Sequence, residues 1–213
     1  MYVKYVKRAL DFIISFLALI LLLPLMILLA VTGALVLRGN PFFTQKRPGK
    51  KGKDGREKIF TLIKFRTMTN KRDSAGNLLP DEERMTKYGT ALRASSLDEL
   101  PEFFNIIKGD MSLVGPRPLL VEYLPRYTEL QRRRHNVMPG LTGYAQVHGR
   151  NDLDWDEKFA YDLYYVEHIS FKTDVRIVAD TVKAVIFRQG ITDGESVTMA
   201  KFTGEEKTEK IER

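Results

Sequence analysis

The chain has 213 residues, a formal net charge of +7 and no cysteine. This length suits one globular domain with an accessory segment, and the lack of cysteine excludes a disulfide framework and thiolate zinc ligands. The positive charge favours an anionic partner. Basic residues gather at 4–8 and 38–58, on both sides of the one long apolar run, and are not interleaved with aromatic residues. This distribution favours an anionic phospholipid membrane and argues against nucleic acid.

The apolar run covers residues 12–37. It is long enough to span a bilayer, for which about 20 apolar residues suffice. However, Pro24 lies in its middle, and basic residues flank both ends, with Lys7 and Arg8 before the run. Because a proline breaks or kinks a helix and positive charge marks the cytoplasmic side, both ends favour the same side. The sequence predicts a re-entrant helix-break-helix in residues 1–40, with a spanning anchor as the alternative.

Two strands are predicted next, at 42–45 and 59–67, around a turn rich in glycine and lysine. Lys64 and Arg66 share one face of the second strand, which is either solvated or turned to a ligand. Four helices are predicted further on: 81–93, 120–136, 155–166 and 174–188. The valines of the last helix are assigned to the core. The basic run 132–135 is interpreted as a solvated helix end, with lipid head groups as the alternative.

Two adjacent carboxylates, Asp98 and Glu99, stand at the predicted start of an amphipathic helix. Apolar residues recur there at helical spacing: Leu97, Leu100, Phe104 and Ile107. Ser96 and Glu99 have the form of a capping box, whereas Pro101 also allows Asp98 to be the cap. In either register Asp98 lies at the positive end of a helix, where a carboxylate stays ionised and phosphate binds. The pair is therefore either a plain helix cap or a phosphoryl-transfer site.

A loop that contains two prolines follows this helix and a short apolar strand. In it, Pro116 and Pro118 flank Arg117 and restrict its backbone, so the guanidinium is aimed before a ligand arrives. An ordinary turn does not need this restriction. The loop therefore favours the functional interpretation of the carboxylates.

Together, the segments SLDELP and GDMSLVGPRP resemble the signature of the bacterial sugar transferases. They are most similar to the small monotopic phosphoglycosyl transferases, which load a sugar phosphate onto a polyprenyl phosphate carrier. The resemblance covers nearly the whole chain, including the Pro-Gly-Leu-Thr-Gly segment at 139–143, which is predicted to form a turn. The chain departs from the usual pattern at Leu23, Met138 and His148, where serine, a basic residue and asparagine are common.

The resemblance implies that Asp98 attacks the sugar-bearing phosphorus of a UDP-sugar and that polyprenyl phosphate then takes the sugar phosphate. Asp98 and Glu99 are expected to contact Mg²⁺, and Glu99 also to handle a proton. The residues expected to bind the substrate and its phosphates are Lys64, Arg93, Arg117, Arg150 and Asp174. The protein is expected at the cytoplasmic face of the bacterial inner membrane, and a homodimer is allowed.

The expected fold is a helix-rich mixed α/β (α+β) protein with three parts: a re-entrant membrane helix at 1–40, a cytoplasmic catalytic domain at 41–203 and a mobile tail at 204–213. Two alternatives stay open. One is a membrane-tethered scaffold that binds anionic lipid or proteins without catalysis. The other is a spanning transferase that acts through a metal-bound ternary complex without a covalent intermediate.

Overall fold

The computed structural model describes residues 2–149, 153–186 and 201–204. The α-helices are α1 Lys7–Leu37, α2 Asp81–Arg84, α3 Lys87–Ala94, α4 Glu102–Lys108, α5 Glu129–Arg132, α6 Tyr144–His148, α7 Trp155–Glu167 and α8 Phe171–Ile186. The strands are β1 Phe42–Lys51, β2 Glu57–Phe65, β3 Ser112–Val114 and β4 Gly140–Thr142. A π-helical segment, Tyr2–Val6, precedes α1. These elements make the helix-rich mixed α/β fold that the sequence predicts.

Helix α1 is one 31-residue element with Pro24 inside it. At 1.5 Å per residue it is about 46 Å long. The predicted break at Pro24 is not confirmed. A proline removes one N–H donor, and in apolar surroundings a wider opening would leave further backbone groups unpaired, so continuing the helix costs less. Within the described residues, α1 is the one helix long and apolar enough to cross a membrane, judged by length and composition.

One stripe of α1 packs against the globular body while its other faces remain exposed and apolar. The buried residues of the stripe are Lys7, Asp11, Ser15, Leu19, Met26, Gly33 and Leu37. Near its end, the Tyr88 hydroxyl donates to the Leu29 carbonyl at 2.8 Å. Near its start, Arg8 donates to the carbonyls of Ile106 and Ile107 at 2.6 and 2.9 Å. The helix therefore contacts the body over most of its length.

Strands β1 and β2 form an antiparallel hairpin in which Phe43 lies opposite Lys64. The sequence predicts this hairpin correctly. On the outer edge of β2, the buried side chain of Asn105 accepts from the Ile63 N–H at 3.1 Å and donates to the Thr61 carbonyl at 2.7 Å. This amide takes the place of a third strand and fixes α4 against β2.

Strand β3 pairs in parallel with β4, and this corrects the prediction of a plain turn at 139–143. Asp11 of α1 accepts from the Ser112 hydroxyl at 2.7 Å and from the Leu113 N–H at 3.1 Å. The segment forms a strand instead of a turn, and its backbone lies close to the backbone that follows β3 because both contain glycine. A Cβ on Gly115 would lie 2.3 Å from the Met138 carbonyl oxygen.

Two predicted helices are interrupted. The helix at 81–93 divides into α2 and α3 because Thr86 caps α3 through the Gly89 N–H at 2.9 Å. The helix at 120–136 becomes a 3-10 segment, Val121–Arg126, followed by α5 and a second 3-10 segment, Arg133–Asn136. Pro125 lies in the first segment, and Thr128 caps α5 with a capping box. Local side-chain caps thus override the apolar spacing.

The helices α7 and α8 form where the sequence predicts them, but the core face assigned to α8 is wrong. Its valines at 175, 178, 182 and 185 are exposed. The buried residues of α8 include Asp174, Ile177 and Ala184. The burial of Asp174 determines which face of α8 is buried, because a buried carboxylate must face its hydrogen-bond donors.

Candidate active site

The predicted carboxylates lie in a single 3-10 turn, Leu97–Glu99, between α3 and α4. Ser96 precedes it with a φ of 56°, in the left-handed region that non-glycine residues seldom adopt. Its side chain makes no capping hydrogen bond, and α4 begins only at Glu102, after Pro101. Both predicted caps are therefore wrong. Asp98 lies one turn before α4 rather than at its first residue.

Glu99 is held by two cations from different parts of the chain. Its Oε1 accepts from Lys64 Nζ of β2 at 2.6 Å and from Arg117 Nη2 at 2.5 Å. Burial alone would raise the pKa of Glu99, but the charges of Arg117 and Lys64 outweigh it and hold the pKa well below the usual range. Glu99 is thus a fixed negative charge that aligns the two cations.

Asp98 has the opposite environment. Its carboxylate forms no hydrogen bond or ion pair with any residue that the structure describes. Burial and the neighbouring charge of Glu99 raise its pKa, although Lys64, Arg117 and Arg93 act in the other direction. Two residues that are adjacent in sequence therefore differ chemically: one carboxylate is clamped and the other is available.

A third carboxylate, Glu102, completes the site and is absent from the sequence prediction. It is 2% exposed, and its Oε1 lies 3.0 Å from Lys64 Nζ. Burial raises the pKa of Glu102 to about 7, against the lowering effect of Lys64. Its position three residues after Glu99 places it on the same side of the turn, which is the one signal in the sequence that points to it.

Two further predicted phosphate ligands are Arg93 and Arg150. Arg93 Nε donates to the Thr67 hydroxyl at 3.2 Å and acts electrostatically on Asp98, so it belongs to this site. Arg150 lies outside the described residues. His148, one of the departures from the family pattern, lies at the end of α6, where its Nδ1 donates to the Tyr144 carbonyl at 2.8 Å.

Asp174 is not brought together with the carboxylates of the turn. Its contacts are with Tyr2 at 2.5 Å, with Lys7 at 2.7 Å and with Tyr165 at 2.8 Å. Lys7, predicted at the membrane face, is therefore buried in an ion pair with α8. These contacts join the N-terminus of α1 to α7 and α8.

The basic run 132–135 is not the solvated helix end that the sequence favours. Arg134 and His135 are buried, at 3% and 4% exposure. Arg132 forms a bidentate pair with Glu57 of β2, at 2.7 and 2.8 Å, and lowers the pKa of that carboxyl to about 2. The charges of the run are neutralised by acids that are distant in sequence, which no local pattern reveals.

No group of three or more His, Asp or Glu side chains in the described parts of the chain could enclose a metal ion by itself. The donor chemistry nevertheless fits Mg²⁺, which prefers one or two carboxylates and completes its shell with water and substrate phosphates. The carboxylate of Asp98 is available, and Oε1 of Glu99 takes both cations, so its Oε2 faces no described donor.

The family model for bacterial sugar transferase matches residues 2–188. The "Uncharacterized sugar transferase EpsL" of Bacillus subtilis (strain 168) is 55% identical over 167 residues, 78% of this chain and 80% of the relative. The "Undecaprenyl-phosphate galactose phosphotransferase" of Salmonella typhimurium is 36% identical over 205 residues, 88% of this chain and 42% of the relative.

A third relative, the "UDP-glucose:undecaprenyl-phosphate glucose-1-phosphate transferase" of Klebsiella pneumoniae, is 39% identical over 186 residues, 83% of this chain and 39% of the relative. The chain spans less than half the length of these two relatives with named substrates. The chain spans 80% of the first relative, and the family model matches residues 2–188 of this chain. The chain therefore belongs to the bacterial sugar transferase family.

Proposed function

We propose that the protein transfers a sugar 1-phosphate from a UDP-sugar to polyprenyl phosphate at a membrane surface, with release of UMP. The names of the Salmonella and Klebsiella relatives support this reaction class. The observation that carries the mechanism is the contrast between Glu99, clamped by Lys64 and Arg117, and Asp98, whose carboxylate is available beside them.

In the first proposed step, an Asp98 oxygen attacks the sugar-bearing phosphorus. The bond from that phosphorus to the bridging oxygen breaks, and UMP leaves with the electron pair. In the second step, a phosphate oxygen of the lipid attacks the same phosphorus, and the bond to Asp98 breaks. The products are a polyprenyl diphosphate sugar and free Asp98. A desolvated, oriented carboxylate is a credible nucleophile for this exchange.

The cations of the site supply the electrostatic stabilisation that phosphoryl transfer requires. Arg117 is 42% exposed at its side chain, so its remaining donors are open to phosphate oxygens. Lys64 and Arg93 approach from β2 and α3. Because Glu99 remains ionised, it suits a fixed charge better than a proton donor. When bound at Asp98 and Glu99, Mg²⁺ would neutralise part of the diphosphate charge.

Helix α1 supports action at a membrane. Its exposed faces are apolar, while its buried stripe stays in contact with the body near both ends. A spanning helix would have to carry one end away from the body to the far side. The contacts therefore favour a helix that enters one leaflet with both ends on the same side, here proposed to be the cytoplasmic side. Cysteines introduced at Tyr2 and Asn40 should be labelled from that same side, and labelling from opposite sides contradicts this topology.

The decisive experiment is intact and peptide mass spectrometry after incubation with UDP-sugars and Mg²⁺, without lipid acceptor. We expect a mass increase of one sugar phosphate on the peptide containing Asp98, and its loss when polyprenyl phosphate is added. Release of UMP that needs both substrates, without a covalent adduct, would support the ternary-complex alternative instead. No UMP release with any UDP-sugar contradicts the proposed function.

A further inference from the structure

The loop that carries Arg117 is held through three successive carbonyl groups, each by a different element. The Pro116 carbonyl accepts from the Gly140 N–H at 3.0 Å. The Arg117 carbonyl accepts from Arg134 Nη2 at 2.7 Å, and the Pro118 carbonyl accepts from Arg47 Nη1 at 3.1 Å. Because both prolines lack an N–H, the carbonyl groups are the main backbone groups through which this loop can be hydrogen-bonded.

The hydrogen bond to the Arg117 carbonyl comes from a buried ion pair. Arg134 is buried, and its Nε and Nη2 both donate to Asp162 Oδ2 of α7, at 3.0 and 2.7 Å. The two side chains are 2% and 3% exposed. Burying an ion pair gives little net stability compared with apolar residues of the same size, because both charges lose their water. A buried pair that also binds the backbone of Arg117 has a geometric use that its stability alone does not explain.

We infer that Asp162 and Arg134 are positioning residues for Arg117: they fix the backbone from which its guanidinium reaches Glu99. Asp162 orients the Arg134 fork, and one donor of the fork holds the Arg117 carbonyl. The planar guanidinium can serve both acceptors at once, which a lysine ammonium does poorly. The inference rests on the proposed function only for its activity readout.

The test must separate positioning from stability. Replacing one member would leave the other as a buried unpaired charge and threaten folding. We therefore combine Arg134→Met with Asp162→Leu, which removes both charges at similar volume and should restore the thermal midpoint. The matched control is Glu57→Gln, which breaks the neighbouring Arg132 pair without touching the carbonyls of the loop.

The first readout is a double-mutant cycle on kcat/KM for UMP release. The double variant should lose about 10-fold to 100-fold, as expected for a displaced catalytic group. In an Arg117→Ala background the same double variant should lose little more, because there is no guanidinium left to misplace. An equal loss in both backgrounds, or no loss in either, overturns the inference and makes the pair purely structural. Glu57→Gln should show no coupling to Arg117.

The second readout needs no turnover. Amide hydrogen exchange of the peptide around residues 115–120 should rise in the Arg134→Met, Asp162→Leu variant while other peptides and the thermal midpoint stay unchanged. Unchanged exchange there overturns the inference. If wild-type protein releases no UMP, the proposed function fails, and exchange alone decides on positioning; it also decides if Arg117→Ala falls below detection.

Discussion

Two carboxylate centres of the protein differ in how completely they are bonded. At the first, Asp174 receives three donors, from Tyr2, Lys7 and Tyr165, and is 6% exposed. At the second, Glu99 receives two donors on a single oxygen, and the adjacent Asp98 receives none from the described residues.

The difference shows which centre can accept a ligand. A carboxylate whose oxygens are both occupied has little capacity left, so the Asp174 centre ties elements of the chain together. At the second centre, an available carboxylate and a partly exposed guanidinium remain side by side. Such incomplete pairing is costly unless a substrate completes it. The two centres should therefore respond differently to equivalent Asp→Asn changes.

The largest expected effect is that of Asp98→Asn on turnover. We expect UMP release to fall by about 10³-fold or more, because the amide keeps the shape but cannot attack phosphorus. The thermal midpoint should change little, because no described donor binds this carboxylate. Near-normal turnover by the variant would show that the available carboxylate is not the nucleophile, even though the family assignment stands.

The reciprocal change is Asp174→Asn. We expect a loss of about 3 kcal/mol in unfolding free energy, because Lys7 is left as a buried unpaired charge, and a thermal midpoint lower by about 10 °C. The kcat/KM of the folded fraction should stay near that of wild type. Asp180→Asn, on the same helix with only distant ion pairs at 3.8 and 3.9 Å, is the control. Lost turnover without lost stability would restore Asp174 to the substrate site, as the resemblance implied.

An effect of up to the same size, but dependent on pH, is expected from Glu102→Gln. Because burial raises the pKa of Glu102 from 4.5 to about 7, the folded state prefers the protonated form. Between these values the unfolded chain binds fewer protons, so this group lowers stability as pH rises from 4.5 towards 7, and no further above it. The variant should gain up to about 3 kcal/mol relative to wild type over that window.

Chemical unfolding at several pH values measures this difference. Glu129→Gln, at an exposed position of α5, should show no such trend. A stability difference for Glu102→Gln that stays constant from pH 4.5 to 7 would mean that Glu102 is already ionised beside Lys64.

The smallest effect concerns the turn that carries Asp98. Ser96 has a φ of 56°, which a residue with a side chain adopts at a cost of about 1 kcal/mol. Ser96→Gly should therefore leave stability unchanged or raise it by at most that amount, since glycine also makes the unfolded chain more flexible. Ser95→Gly, at a φ of −98°, should lower stability instead. A marked loss for Ser96→Gly would show that the Ser96 side chain itself supports the turn.

Sequence patterns predict the site best where its residues are close along the chain. Asp98, Glu99 and Arg117 are found because two carboxylates and a proline-flanked arginine are local signals. Lys64 and Arg93 come from the family resemblance, and the structure places both near Asp98. Glu102 was missed because a glutamate inside a predicted amphipathic helix is ordinarily a solvated residue.

Long-range pairing explains the remaining errors. Arg134 finds its partner Asp162 on α7, so its charge gives no sign of burial in the sequence. The valines of α8 have helical spacing, but Asp174 determines which face turns inward. The interruption predicted at Pro24 is not confirmed, and the reason is local: the preference of one residue is outweighed by hydrogen bonds along the rest of the helix.

The amide of Asn105 has a consequence for how the protein avoids misassembly. A two-stranded sheet exposes unpaired N–H and C=O groups that can recruit a strand from another molecule. Asn105 occupies the Ile63 N–H and the Thr61 carbonyl on that edge, so these groups are no longer open to a foreign strand. It also resists slippage of the hairpin, since a shift of one residue would turn Lys64 to the opposite face and away from Glu99. One side chain thus blocks edge-to-edge pairing at these two groups and keeps Lys64 on the face of its strand that reaches Glu99.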